Sequence, residues 1–282
     1  MSFDLLFKKM FGDENHKERT AYLISTFLQL PYKEIKETIE ILPNDKILYS
    51  RNDKRQARDV IVRIILSINM KVNLEMNVCF DESRRNRNLM YITHIYSNQL
   101  KNKEDYKKIE KCIQINFNLD YINKDKKEII EKYTLKDKYN YECTDMLEIY
   151  HVNIYECHNI MYNKDIKKYD EKLHEIIRYG AMLVENDYEK LKELVEELSM
   201  EEEIKEGILD SMEEYSEDED MAYYYDVEHD RMATYSGSIS IAKEEGLNQG
   251  KQEIAKSMKK DNMDIEKISM YTGLTKEEIE KL

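Results

Sequence analysis

Glycine, proline and tryptophan are scarce in this sequence of 282 residues, which contains 7 Gly, 2 Pro and no Trp. Because glycine and proline mark most turns, a chain with so few of them is expected to be rich in helix. The chain also lacks an apolar run approaching the ~20 residues of a membrane-spanning helix. Its N-terminus is charged too early for a secretory signal peptide. We therefore expect neither membrane insertion nor secretion.

The four cysteines are too dispersed to suggest a metal-binding motif or a disulfide framework. No two of them form a CxxC pair, and none combines with a histidine at zinc-site spacing. A reduced, cytoplasmic protein is the simplest interpretation. The sequence also lacks a glycine-rich phosphate loop, a Ser/His/Asp arrangement and a cysteine nucleophile.

The net charge of −14 is distributed unevenly along the chain. Residues 1–150 carry 27 basic and 24 acidic side chains, whereas residues 151–282 carry 17 and 34. An evenly acidic protein would repel nucleic acid, but here the acidity lies in the C-terminal half. The N-terminal half could therefore face phosphates, and DNA is a permitted partner.

Two segments in the N-terminal half alternate apolar and polar side chains with the period of two that is typical of strands. The polar side of residues 57–66 carries Asp59, and the polar side of residues 71–80 carries Glu75 and Asn77. We predict that the two strands pair in antiparallel register, each with one apolar face and one face that bears an acid.

Further strands and helices are predicted around this pair. Strands are expected over 111–119 and 146–156, and helices over 16–29 and 86–100. A first helix ends at Gly12, and Asp4 is a candidate for its cap. Because strands and helices interleave, the expected fold class is α/β or α+β rather than a sandwich.

The chain changes character after residue 160, and three regions are predicted. They are a core over 1–160, an acidic helical region over 161–235 and a helical tail over 236–282. The acidic region contains an apolar helical stripe, which could pack against the core or a partner, although a solvated helical face is the favoured interpretation. The stripe consists of Leu191, Leu194, Val195 and Leu198.

The end of the tail is predicted to hold two short helices after a long helix over 238–261. Gly273 is expected at their turn, and Thr275 with Glu278 forms a capping box. The pair resembles half of a helix-turn-helix, but no third helix is predicted and the last helix is acidic. Self-association, giving a homo-oligomer through the C-terminal helices, or simple capping of the tail is preferred to DNA recognition.

Asp59 and Glu75 are the candidates for chemistry. Hydrolysis of a phosphodiester requires neutralised phosphate charge and an activated water, and a divalent metal supplies both. Mg²⁺ prefers oxygen ligands, which two carboxylates on one face of neighbouring strands would provide, with the backbone carbonyl of Met76 as a third. Arg63 could contact phosphate or pair with Glu75. The alternative is that both acids are solvated surface carboxylates.

Several stretches carry a resemblance to a known family. They are FDLLFKKMFG at 3–12, the strand NLEMN at 73–77 and the helix RNLMYITHIYSNQL at 87–100. The ending, with EEGLNQGKQE and IEKISMYTGLTKEEIEKL, matches as well. The chain resembles the Rpn-type family of recombination-promoting nucleases, which are labelled transposases and belong to the PD-(D/E)XK nuclease superfamily.

This resemblance implies a restriction-endonuclease-like core with a central mixed sheet flanked by helices, followed by a helical C-terminal extension. It implies a metal-dependent DNA endonuclease linked to recombination or mobile elements, with Mg²⁺ or Mn²⁺ as cofactor. Asp59 and Glu75 would be metal ligands together with the Met76 carbonyl. Asn77 stands where the family has Lys or Gln, and it could hold the attacking water through its amide.

Supporting roles and an alternative function remain open. Tyr91 and Gln99 could line the site, although packing or hydrogen bonding is the preferred role for both. Asp4 could reach the site as an extra acid, although helix capping is preferred. Because Asn77 replaces the Lys or Gln of the family, we consider a second hypothesis. In it, the protein is a catalytically eroded nuclease fold that acts as a DNA-binding or protein-assembly module.

Overall fold

The computed structural model of the protein describes residues 3–42, 60–77, 82–100, 105–119, 128–217 and 246–282. The chain divides into two compact units, Met1–Tyr223 and Tyr224–Leu282, which we describe separately. In the described residues no helix is both long enough and apolar enough to cross a membrane.

A mixed sheet of six strands organises the first unit, with the order β1-β2-β3-β4-β6-β5. The central pairs β3–β4 and β4–β6 are parallel, and the outer pairs β1–β2, β2–β3 and β5–β6 are antiparallel. The strands are β1 (Glu40–Ile41), β2 (Val60–Ile64), β3 (Met70–Asn77), β4 (Lys111–Asn118), β5 (Ile130–Lys136) and β6 (Glu142–Asn153).

Helices flank this sheet, so the predicted α/β core with a central mixed sheet is confirmed. In the first unit they are α1 (Phe3–Phe11), α2 (Lys17–Leu28), α3 (Tyr32–Thr38), α4 (Glu82–Ser97), α5 (Ile154–Asn163), α6 (Glu171–Met182), α7 (Tyr188–Glu196) and α8 (Glu202–Glu217). In the second unit they are α9 (246–260), α10 (Ile265–Thr272) and α11 (Lys276–Glu280).

The antiparallel pairing of β2 and β3 is confirmed, with Val60 opposite Leu74 and Ile64 opposite Met70. Several boundaries differ from the sequence-based expectation, and two of these differences concern helix caps. The strand predicted over 146–156 begins earlier and ends at Asn153, because the Asn153 side chain accepts a hydrogen bond from the Glu156 amide and caps α5. The first helix includes Asp4 in its first turn, so the helix begins before the residue predicted to cap it.

One face of the sheet is apolar and forms the main core with the helices. From β3 it contributes Val72, Leu74 and Met76, and from β4 the alternate positions Ile113, Ile115 and Phe117. Helices α1 and α2 pack on this core, and so do α5–α8. This burial of apolar side chains on a single face is the dominant stabilising contribution.

The favoured interpretation of the acidic region as a solvated helical face is wrong for its apolar stripe. All four stripe residues of α7 and its end are at most 3% exposed and belong to the main core. The stripe therefore packs on the core, while its glutamates cover the outer side of the helix. The four residues are Leu191, Leu194, Val195 and Leu198.

The second unit is a three-helix cluster in its described part. Ala255 from α9 shares a small apolar core with Ile268 from α10 and Ile279 from α11. Leu274, which lies between the two short helices, completes this core. The capping box of Thr275 and Glu278 and the left-handed turn at Gly273 are confirmed. The helix predicted over 238–261 is present as α9 in its described part, and it packs on both short helices, so the pair is accompanied by a third helix.

Candidate active site on the polar face of the sheet

The second face of the sheet is polar although it is buried. Cross-strand register places Glu75 of β3 next to Asn116 of β4, then His151 of β6 and Glu131 of β5. Side chains directly opposite each other on neighbouring strands point to the same side, so these four form one row. Each is at most 8% exposed. A row of buried polar groups is unusual, because such groups must all find partners.

A second row follows toward the carboxyl ends of the parallel strands. It consists of Asn77, Asn118 and Asn153, each at most 5% exposed. The Asn77 amide nitrogen donates to Asn118 Oδ1 at 3.1 Å. Asn118 in turn donates to the Asn116 carbonyl at 3.0 Å and lies 3.4 Å from His151 Nδ1. The hydrogen bonds connect three strands and fix the side chains of this face.

Helix α4 lies over this polar face and brings a positive charge to Glu75. Arg87 Nη2 lies 2.5 Å from Glu75 Oε1 and 3.2 Å from Asn77 Oδ1. The guanidinium carbon also lies 5.5 Å from the centre of the Tyr91 ring. Tyr91 thus supports Arg87 one helical turn away, which is the spacing at which helical side chains meet.

Burial keeps His151 neutral. Together with the positive charge of Arg85, which acts in the same direction, burial lowers the pKa of the imidazole to about 4. At neutral pH the ring therefore carries a single proton, and Nδ1 can accept the hydrogen bond that Asn118 offers.

The backbone of β3 offers an oxygen next to Glu75. The Asn69 carbonyl accepts a hydrogen bond from the amide of Lys111 in β4. The Asn77 carbonyl accepts one from the amide of Leu119, the residue that follows β4. Carbonyl direction alternates along a strand, so the Met76 carbonyl faces away from β4, toward the side on which β2 lies. Glu75 and Met76 therefore supply a carboxylate and a carbonyl, a hard oxygen donor set that suits Mg²⁺ or Mn²⁺.

The predicted partner acid falls outside the described part of the chain. The last described pair of the β2–β3 ladder is Val60 opposite Leu74, and Asp59 precedes it among residues that the structure does not describe. The same holds for the side chain of Asp4. Within the described residues, no three His, Cys, Asp or Glu side chains lie close enough together to hold a metal ion.

Arg63 and Gln99 lie at the opposite end of the same strands. Arg63 pairs with Glu110 at 2.5 Å rather than with Glu75. Gln99 donates to the Glu110 carbonyl at 3.0 Å and accepts from its amide at 2.8 Å, which fixes the start of β4 against the end of α4. Arg63 stands opposite Lys71, four residues or about 13 Å along β3 from Glu75.

Six of the residues described on or over the polar face were not predicted as site residues: Arg87, Asn116, Asn118, Glu131, His151 and Asn153. A signal for Asn116 and Asn118 is present in the sequence. The alternation Gln114, Asn116, Asn118 in a predicted strand indicates a polar face that is too amide-rich to be simply solvated. Arg87 carries no comparable signal, because its contact with Glu75 depends on how α4 crosses the sheet.

Comparison with known proteins gives one match. Neither a curated protein nor a solved structure matches this chain. A family description does: that of the PD-(D/E)XK nuclease family transposases matches residues 1–230, which include the whole sheet and the helices that cover it. Nucleases of this superfamily generally use divalent metal ions, in keeping with the oxygen donors at Glu75 and Met76. With more than half of its length matched, the chain belongs to the PD-(D/E)XK nuclease family transposases.

Proposed function

We propose that the protein is a metal-dependent DNA endonuclease that hydrolyses phosphodiester bonds through Asp59 and Glu75. The observation that carries this proposal is the register of β2 and β3. It pairs Val60 with Leu74, and one further step of the same ladder would pair position 59 with Glu75. Residues directly opposite in an antiparallel pair have Cβ atoms about 5 Å apart, close enough to share one ion.

In this proposal Glu75, Asp59 and the Met76 carbonyl hold Mg²⁺ or Mn²⁺. The bound ion would neutralise the scissile phosphate and lower the pKa of a water. Asn77 holds that water through an N–H of its amide, oriented by the hydrogen bond that the same amide donates to Asn118 Oδ1. Burial of Glu75 strengthens these electrostatic interactions, because little bulk water screens them.

The supporting residues divide by distance from Glu75. Tyr91 acts through the guanidinium of Arg87. Arg63 lies too far along the strands to touch the scissile phosphate, so its place in the proposal is a contact with a neighbouring phosphate of the same DNA. Gln99 fixes α4 to β4 and orients the helix. Asp4 is retained as a further acid from the first helix.

The test is nicking of supercoiled plasmid DNA with Mg²⁺ or Mn²⁺, followed on agarose gels. We expect Asp59→Asn and Glu75→Gln to abolish nicking, because each removes a charged ligand while keeping the side-chain size. Glu148→Gln is a matched control. Glu148 is a buried carboxylate of the same sheet, but it pairs with Lys111 and Lys132 on the opposite face.

Two results would contradict the proposal. Nicking by Glu75→Gln at the wild-type rate would remove Glu75 from the chemistry. Binding of DNA without any nicking, over long incubation with either metal, would favour the alternative of an eroded nuclease fold that serves as a DNA-binding or assembly module.

The expectation of a homo-oligomer is tested separately by light scattering on the full chain. A homo-oligomer requires a measured mass greater than that of one protomer.

A further inference from the structure

The guanidinium of Arg87 lies where a bound cation would compensate Glu75. Its Nη2 contacts Glu75 Oε1 at 2.5 Å, and the Glu75 side chain is only 6% exposed. A buried carboxylate that loses its counter-ion is strongly destabilised. In the metal-free chain Arg87 therefore contributes the positive charge that Glu75 requires.

Arg87 is less confined than its partner. Its side chain is 34% exposed against 6% for Glu75, and it projects from α4 rather than from the sheet. Long charged side chains of this kind keep their apolar stem packed while the charged end moves toward solvent. The guanidinium, whose carbon lies 5.5 Å from the centre of the Tyr91 ring, can thus leave Glu75 while the apolar stem stays against the helix.

We propose that Arg87 is an exchangeable counter-ion, which Glu75 releases when a divalent metal binds and which then contacts the DNA phosphate. The inference rests on the proposed function. A divalent metal on the Glu75 carboxylate would lie close to the guanidinium, and the repulsion between the two cations would weaken the ion pair. The released guanidinium is suited to phosphate because its planar donors match two phosphate oxygens. It also supplies, from α4, the positive charge that Asn77 cannot carry.

The first measurement is the affinity of Mg²⁺ and Mn²⁺ for the DNA-free full chain by isothermal titration calorimetry. Arg87→Ala removes the competing cation, so the metal dissociation constant should fall by about tenfold, which corresponds to about 1.4 kcal/mol. Arg87→Lys keeps a competing charge and should remain near wild type. Arg178→Ala is the matched control, since it breaks an arginine–glutamate pair with Glu197 elsewhere in the unit.

The second measurement is plasmid nicking at saturating metal. Loss of a charged donor from the phosphate should slow nicking by Arg87→Ala about a hundredfold, and Arg87→Lys should restore part of the rate. A tighter metal site combined with slower cleavage is the signature of the exchange. A residue that only supports the fold would not move the two quantities in opposite directions.

The outcomes separate this inference from the proposed function. If Arg87→Ala is folded by circular dichroism and binds metal no more tightly than wild type, Arg87 positions Glu75 and the exchange is refuted. If Arg87→Ala does not fold, Arg87→Gln keeps part of the apolar stem and a polar end without the charge, and it must show the same tightening. If Glu75→Gln leaves metal binding unchanged, the proposed metal site itself fails, and the exchange fails with it.

Discussion

Gly180 is a position where a single methyl group should destabilise the first unit. It lies on α6 against α5, and a Cβ built there would meet Cys157 Sγ at 2.6 Å and Cys157 Cβ at 2.9 Å. Both contacts are shorter than ordinary van der Waals separations, and Cys157 is fully buried, so it has little room to move.

The expected size follows from two opposing effects of Gly180→Ala. Overpacking of a core costs about 1–3 kcal/mol, whereas replacing a helical glycine by alanine stabilises by up to about 1 kcal/mol. The net loss is about 1–2 kcal/mol, and a unit of this size loses roughly 2–4 °C in Tm per kcal/mol. We therefore expect thermal denaturation, followed by circular dichroism, to show a Tm about 4 °C below wild type.

A control variant and a double variant test whether the steric contact with Cys157 causes the loss. Gly250→Ala, in a helix of the second unit where a Cβ would meet no atom within 4 Å, should not destabilise its own unit. In a Cys157→Ala background the Sγ contact is gone, so Gly180→Ala should cost less there than in wild type. A rise in Tm on Gly180→Ala, or the same loss in both backgrounds, would refute the steric argument.

Three further predictions test other parts of the first unit. Because burial lowers the pKa of His151 from 6.5 to about 4, the unfolded chain binds more protons between these values. Stability should therefore fall by up to about 3 kcal/mol as pH drops from 6.5 to 4. The stability of His151→Gln, measured by urea denaturation, should depend less on pH between 6.5 and 4 than that of wild type. Asn153→Ala removes the cap of α5 and should cost about 0.5–2 kcal/mol in the same assay; an unchanged midpoint would exclude the cap. Burial raises the pKa of the Cys112 thiol to about 12, so a thiol reagent at pH 8 should label exposed Cys143 before Cys112, and equally fast labelling of Cys112 would contradict its burial.

The strand pair β2–β3 could be predicted from sequence because alternation determines which side chains share a face. The valines and leucines of both segments leave no other way to bury one side of each strand. The same reasoning assigned Glu75 and Asn77 to one face, and the register agrees. Local periodicity carries this information within each strand, independent of the rest of the chain.

The position of α7 could not be predicted in the same way. Its heavy load of glutamates suggests solvent on all sides, yet Leu191, Leu194 and Val195 are buried in the main core. Composition averages over a helix, whereas burial depends on one stripe of it. Tertiary packing between segments that are far apart in sequence determines which surface the apolar stripe contacts.

The ion pair of Arg87 with Glu75 illustrates the same limit at the site. The two residues are twelve positions apart and lie on elements of different period, so no local pattern relates them. Their meeting depends on the angle at which α4 returns across β3. The sequence pattern indicates the site residues on the strands, such as Glu75. The contribution of Arg87 from α4 becomes visible only in the folded structure.

The double attachment of α4 constrains how this family member can vary. Helix α4, in the connection from β3 to β4, is held near its start by Arg87 on Glu75 and just beyond its end by Gln99 on Glu110. An insertion or deletion of one residue between these points would rotate one attachment by about 100° relative to the other. The number of residues between Arg87 and Gln99 is therefore fixed, and natural or engineered length changes must fall outside this segment.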